Sequence, residues 1–396
     1  MSSQQQKHPY RVEHLDNKYY LTRDINVKNQ RKKIRKLIST TKPTNKEIKQ
    51  FIEKHAEEIE TEACKIEVTL QLTTYKLNYL DKKTAEELEN TRTLYKRYTE
   101  LLTIDEVKIY EQEMEIKYIH GTTTVEGNTL TEEQTRNLLT KGTIPDDKQD
   151  IREINEVQNF KTVKKYRDTY KGKITLKFIK TLHATIMHNI DINNAGQFRK
   201  KRVTIGGREK PVTSHEFIEM ALTEKIEQYY AALKNGHNPF EEAIIFHHSF
   251  ESIHPFNDGN GRVGRELLNF MLHKTGYPRF SVLKSTREAY LELLKLGDEE
   301  KNQDMIVHFA YLLIRQENLI MIGNVIHQIL SMWSSSEKKN NNAAYSLTPQ
   351  IITKWSGELE QNNLATTEIK KIKYTTNSDN NKSNNKKNSE NEHNKN

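Results

Sequence analysis

Between residues 44 and 126 the apolar positions recur three and four apart. In EELENTRTLYKRYTELL the positions are Leu88, Leu94, Tyr95, Tyr98, Leu101 and Leu102, and Ile109, Ile116 and Ile119 continue the series. That period puts them on one helix face, so the stretch predicts amphipathic helices. Thr44 with Glu47, and Thr84 with Glu87, match the capping box that starts a helix. Gly127 and Asn128 interrupt the pattern. Helical spacing then returns in TLTEEQTRNLL, in ITLKFIKTLHATIMHNI, in FIEMALTEKIEQYYAALKNG with Gly236 as its stop, and in NPFEEAIIFHHSFESI. Signals for strands are few. KYYLTRDINV reads as a strand, but the basic KNQRKKIRKLI after it has no glycine turn to settle a pairing. AGQFRKKRVTIGGREKPV, with β-branched residues, then Gly206-Gly207 and Pro211, predicts a hairpin.

Composition narrows the picture. The 396 residues are 34% hydrophobic and 29% charged, with formal charge +8, which favours anionic partners without choosing among them. The single cysteine, Cys64, excludes an intrachain disulfide and four-cysteine zinc sites. The N-terminus shows no apolar core of signal-peptide length. The most apolar run, His308 to Ile326, is broken by Arg315, Gln316 and Glu317 and reads as a buried helix pair. A soluble cytoplasmic protein with no membrane partner is expected. From about Glu337 onward Asn, Lys and Ser dominate, too polar to order a core. The expected division is a mainly helical extension over 1–105, a core over 106–335 and a disordered tail over 336–396.

The candidate chemistry lies in HPFNDGNGRVGRELLNF, His254 to Phe270. Gly259, Gly261 and Gly264 spell G-x-G-x-x-G, but a helix-type segment precedes them where a dinucleotide fold needs a strand. A phosphate P-loop would need Gly-Lys-Ser/Thr, which is missing. His247, Glu251 and His254, with His248 and Asp258 nearby, could form a hydrolytic metal site. Equally, the glycines could be a plain turn, but Arg262 and Arg265 would then sit in a helix first turn where the macrodipole disfavours cations by roughly 0.3–1 kcal/mol each. An anion would relieve that. Gly259-Asn260-Gly261 can offer inward N–H groups, the two arginines can clamp phosphate oxygens, Asp258 suits Mg²⁺, and His254 can take a proton. Together they suit phosphoryl or nucleotidyl transfer.

The stretch resembles the signature of the Fic-domain family, H-x-F-x-[D/E]-G-N-G-R-x-x-R, at His254, Phe256, Asp258, Gly259, Asn260, Gly261, Arg262 and Arg265. The resemblance implies a mostly α fold, a Fic-type helical core with a small β-hairpin flap. It implies transfer of AMP from ATP to a Ser, Thr or Tyr hydroxyl of a target protein. In that reading His254 is the general base and Asp258 the Mg²⁺ ligand. Gly259, Asn260, Gly261, Arg262 and Arg265 bind the nucleotide, Phe256 anchors the motif in the core, and the flap at Val203, Thr204, Ile205, Gly206 and Gly207 pins the target.

TTTVEG, Thr122 to Gly127, is similar to that family's inhibitory motif [S/T]-x-x-x-E-[G/N], on a helix expected near 110–127. The resemblance implies that Glu126 pairs with Arg265 and disfavours the productive nucleotide pose. It also leaves room for the reverse reaction, self-modification, a homodimer and transfer of another phosphate-linked group. Two other classes stay open: a nucleic-acid- or protein-binding regulator, from KNQRKKIRKLI and EIKKIKYTT, and a metal-dependent hydrolase.

Overall fold

The computed structural model describes residues 9–145, 150–205, 208 and 210–317. The chain begins with three antiparallel strands in the order β1 (Tyr10–Leu15), β2 (Lys18–Val27) and β3 (Gln30–Ser39). Asp16 and Asn17 make the first turn with φ of 49° and 58°, the left-handed conformation that short polar side chains tolerate and a tight hairpin demands. The basic run is therefore a strand. Its alternation is masked because Lys32 and Lys36 share the inner face with Ile34 and Ile38, and Lys36 is neutralised there by Glu58. On the outer face Lys33 and Arg35 bind Glu13, and Arg31 binds Asp24. Of the six cations in KNQRKKIRKLI, Arg31, Lys33 and Arg35 are thus paired within the sheet and Lys36 with the helix beneath it. EIKKIKYTT lies outside the described residues.

The sheet packs on α1 (Asn45–Leu72), which starts in the expected Thr44–Glu47 capping box. Ile48, Ile52, Ala56, Ile59 and Ala63 form its buried stripe against Leu21, Ile25 and Ile34. Buried Glu60 ties three elements together, binding Arg23 of β2 at 3.0 Å and Arg97 of α2 (Lys82–Leu101) at 2.9 Å. The second expected box is displaced: Asp81 caps α2, accepting from the Thr84 N–H at 3.0 Å. Asp81 offers its carboxylate one turn earlier, so Thr84 falls inside the helix.

Next come α3 (Ile104–Val125), α4 (Glu132–Lys141), α5 (Ile151–Thr169), α6 (Leu176–Ile186), α7 (Ile218–Lys234), α8 (Pro239–Ile253), α9 (Asn260–Lys274), α10 (Arg287–Asp298) and α11 (Asn302–Glu317). Gly236, at φ 82°, ends α7 as expected. Helix α9 runs through the centre, with Val263, Leu267, Leu268 and Leu272 fully buried, each worth about 1.5–3 kcal/mol against exposure. Phe256 is also fully buried, stacked 3.6 Å from the His183 ring.

Two hydrophobic clusters result, and α2 and α3 belong to both. Tyr98, Leu101 and Tyr110 lie in the N-terminal cluster, while Leu88, Tyr118, Ile119 and Val125 lie in the larger one. A cut at residue 105 would therefore separate helices that both cores share. The expected hairpin differs too. Val203, Thr204 and Ile205 run without regular pairing, and Gly206 and Gly207 lie outside the described residues. Of the apolar run, α11 takes the part to Glu317 and the remainder lies outside the described residues. Among the described residues no helix is long and apolar enough to cross a membrane.

Candidate active site

The site is the junction of α8 and α9. Helix α8 stops because His254 adopts φ 51° and ψ 61°, a left-handed conformation costing a non-glycine residue roughly 1–2 kcal/mol. Arg199, almost fully buried, holds it there. Its Nε donates to the His254 carbonyl at 2.7 Å, its Nη2 to Ile253 O at 3.2 Å, and its backbone N–H to Pro255 O at 2.9 Å. The same guanidinium binds the carbonyls of Lys201 (3.0 Å) and Thr213, holding the chain on either side of the expected flap segment to the α8–α9 turn. Arg199 stands in a run of basic residues in the sequence, and nothing in its spacing distinguishes it from Lys200 or Lys201.

The loop closes on itself. Asn260 Oδ1 accepts from the Phe256 N–H, and Asn260 Nδ2 donates to the Phe256 carbonyl, both at 2.8 Å. The side chain expected at a phosphate is therefore spent on shaping the turn, and what Asn260 offers an anion is its backbone N–H. Gly259 is required on two counts: φ is 76°, and a Cβ would meet Met187 Sδ at 2.7 Å. His183, unmarked by any motif, accepts the Gly196 N–H at Nδ1 (2.8 Å). Its Nε2–H therefore donates to the Asp258 carbonyl (3.0 Å), and burial pushes its pKa down to about 4.

The two arginines diverge in role. Arg262 is 1% exposed and bridges Glu156 at 3.0 Å and Asp258 at 3.2 Å, so it braces the loop from inside where a phosphate clamp was expected. The i,i+4 spacing from Asp258 brings the two together on one helix turn. Arg265 faces α3: Nε donates to Thr122 Oγ1 at 2.8 Å, and Nη2 to Thr122 O at 2.9 Å and to Glu126 Oε1 at 2.6 Å. A Cβ on Gly261 would meet that same Glu126 oxygen at 2.5 Å. The carboxylate thus lies against the first turn of α9, which has neither a side-chain cap nor an acidic residue of its own. This is where the helix dipole favours an anion. Burial works to raise the Glu126 pKa, but Arg265, with help from Arg262, outweighs it and leaves the carboxyl below its usual range.

His254 is neutral at physiological pH. Burial, reinforced by the charge of Arg199, lowers its pKa to about 4. Its Nδ1 is enclosed, and the ring has the Glu251 backbone as a hydrogen-bond partner. A neutral imidazole carries one unprotonated nitrogen and can accept a proton there. Asp258 is ionised: burial opposes this, and Arg262, Arg152 and the Gly259 N–H overcome it.

The hydrolytic metal reading does not survive the geometry. Among the described residues no three His, Cys, Asp or Glu side chains converge on a point. His247 is fully buried, its ring bonded to Gly264 O (3.1 Å) and the Tyr290 hydroxyl (2.9 Å), a core histidine. His248 binds Asp298 at 2.9 Å. Glu251 keeps Oε1 buried and unpartnered, and desolvation pushes its pKa up to about 7. One hard carboxylate remains, Asp258, 40% exposed and already holding a cation, Arg152, at 2.6 Å. A single carboxylate completed by phosphate oxygens and water is how Mg²⁺ is commonly bound beside nucleotides, so the residues present fit that metal.

With this arrangement in view, residues 173–272 match the model of the Fic/DOC family. That segment is similar to a Fic domain. The chain's similarity to curated proteins extends beyond that segment. It is 31% identical over 249 residues to protein adenylyltransferase Fic of Drosophila mojavensis, covering 57% of this chain and 49% of that protein. To the protein of the same name in Aedes aegypti it is 32% identical over 234 residues, covering 58% and 46%. The chain thus spans less than half the length of these relatives. Among solved structures, Fic-1 of C. elegans superposes with TM-score 0.53 at 24% identity, covering 73% of this chain and 87% of that one. A Fic-domain signaling protein of Bacteroides thetaiotaomicron gives 0.52 at 24%, covering 64% and 99%. These two likenesses establish the Fic fold.

Proposed function

We propose that this protein is an adenylyltransferase that moves AMP from ATP to a hydroxyl side chain of a target protein, and that Glu126 restrains it. The neutral His254 imidazole takes the proton from the incoming Ser, Thr or Tyr hydroxyl. The oxygen forms a bond to the α-phosphorus as the bond to pyrophosphate breaks, and pyrophosphate departs. The amides at the start of α9 and Arg265 receive the phosphates. Asp258 would hold Mg²⁺, whose bound charge supplies neutralisation of the triphosphate. The segment Val203 to Gly207 would lie along the target, and Arg199 binds the backbone on either side of it at Lys201 and Thr213. We take residues 106–335 as the catalytic unit, with the end of α3 as its inhibitory element. The names of the curated relatives support the activity.

One observation carries the restraint: the Glu126 carboxylate binds Arg265 at 2.6 Å while lying against Gly261. It occupies both the cation and the helix terminus that a γ-phosphate would use. The test is labelling with ATP carrying the isotope on the α-phosphorus, using wild type, Glu126→Gly and Glu126→Gly/His254→Ala. Strong protein labelling in the second alone supports the reading. No labelling by the second while nucleotide still binds overturns it.

A further inference from the structure

The rim of the loop holds a cation that the transfer chemistry does not use. Arg152, in the first turn of α5, places Nη2 2.6 Å from Asp258 Oδ2 and Nε 3.2 Å from Glu156 Oε1. Arg262 binds the same two acids, at Glu156 Oε1 and Asp258 Oδ1. Two guanidiniums therefore face two carboxylates, and the group is charge-balanced before any ligand arrives. The two cations differ in access. Arg262 is 1% exposed and its route out is closed by the core, whereas the Arg152 side chain is 51% exposed. Arg152 can leave Asp258 by turning its side chain alone, keeping Glu156 one helix turn away as its remaining partner.

We propose that Arg152 is a resident counter-cation on Asp258 that a divalent metal has to displace, a positioning residue that sets how much metal the site needs. This rests on the nucleotidyl-transfer reading above. A guanidinium and a divalent ion on neighbouring atoms of one carboxylate repel each other, so occupancy by one lowers affinity for the other. Wild type therefore binds metal more weakly than a chain lacking the Arg152 charge, by a factor equal to the inverse of the fraction of time Arg152 spends off Asp258. Outside the signature, Arg152 carries no sequence mark, and only its distance to Asp258 reveals it.

The experiment titrates Mn²⁺ into the full chain carrying Glu126→Gly, with a saturating non-hydrolysable ATP analogue, and reads bound metal by electron paramagnetic resonance. Adding Arg152→Gln is expected to lower the half-saturating Mn²⁺ concentration by about threefold or more. Analogue binding measured without metal should change little. Arg152→Lys keeps the charge and should titrate near the parent. In an Asp258→Asn background Arg152→Gln should move nothing, since the competition has lost its object. A midpoint unmoved or raised by Arg152→Gln, a matching shift with Lys, or a shift surviving Asp258→Asn would each overturn the proposal. If no variant binds the analogue at all, the transfer reading falls and takes this with it. Analogue binding with an unmoved midpoint sinks the Arg152 role alone.

Discussion

Glu126 and Arg265 lie 139 positions apart in the chain and meet at 2.6 Å. Thr122, one helix turn before the glutamate, binds the same guanidinium through its hydroxyl and its carbonyl, so Arg265 is held to the end of α3 at three points. Replacing Glu126 with Gly removes the charged contact and leaves two. Labelling of protein by ATP should rise about tenfold or more, equivalent to at least 1.4 kcal/mol. The melting temperature should fall, because a nearly buried guanidinium loses its counter-charge. Gain of activity with loss of stability is the expected signature, and unchanged labelling in both would contradict it.

His254→Ala should abolish labelling in the Glu126→Gly background while nucleotide binding stays within about twofold, since a general base acts on rate more than on ground-state affinity. The pH dependence is specific. With its pKa lowered to about 4, the imidazole is unprotonated throughout the neutral range. The rate should therefore show no acid limb between about pH 6 and 7, where an ordinary histidine titrates, and should fall only as pH approaches 4.

Arg199→Gln tests the tether. One guanidinium satisfies the carbonyls of Ile253, His254, Lys201 and Thr213, and charged hydrogen bonds contribute about 1.5–3 kcal/mol each without being additive. A loss of about 2–4 kcal/mol in urea unfolding is expected, together with a fall in labelling larger than that of a distant variant of equal stability. Equal losses in the two would reduce Arg199 to a purely structural residue.

Much of this was legible in advance, for identifiable reasons. Residues adjacent in the chain and constrained by one turn, such as His254, Asp258, Gly259 and Arg265, announce themselves by spacing. So do capping boxes: Thr103 with Glu106 and Thr131 with Gln134 are both present and both could have been read. Partners supplied by distant helices could not. Glu156 and Arg152 reach the loop from α5, His183 from α6 and Arg199 from the segment before α7, and each looks like an ordinary polar residue of its own surroundings. Strand β3 was hidden differently, its lysines covering the inner face with aliphatic stems and reaching out at the rim.

Glu251→Gln should stabilise the protein in alkaline solution. The carboxyl is enclosed beside Gly264 and its pKa is raised to about 7. A raised acid pKa means that its contribution is fully present below the unfolded value near 4.3 and is lost as pH climbs through 7. Wild type should therefore lose stability between about pH 5 and 8 relative to the glutamine variant, by roughly 1–3 kcal/mol at the upper end. Parallel stability curves for the two proteins over that range would refute the assignment.

Helix α3 has one end among Tyr98 and Tyr110 and the other at Glu126, and at Gly121 it lies so close to the Val282 carbonyl that no side chain fits. Twenty-two residues of helix make a rigid shaft of about 33 Å, and a hydrogen bond loses strength steeply once its atoms part beyond about 3.2 Å. A small shove at the amino end is therefore delivered almost undiminished to the carboxylate tip. The N-terminal sheet and its helix, remote from the α8–α9 loop, are thereby coupled mechanically to the position of the Glu126 carboxylate.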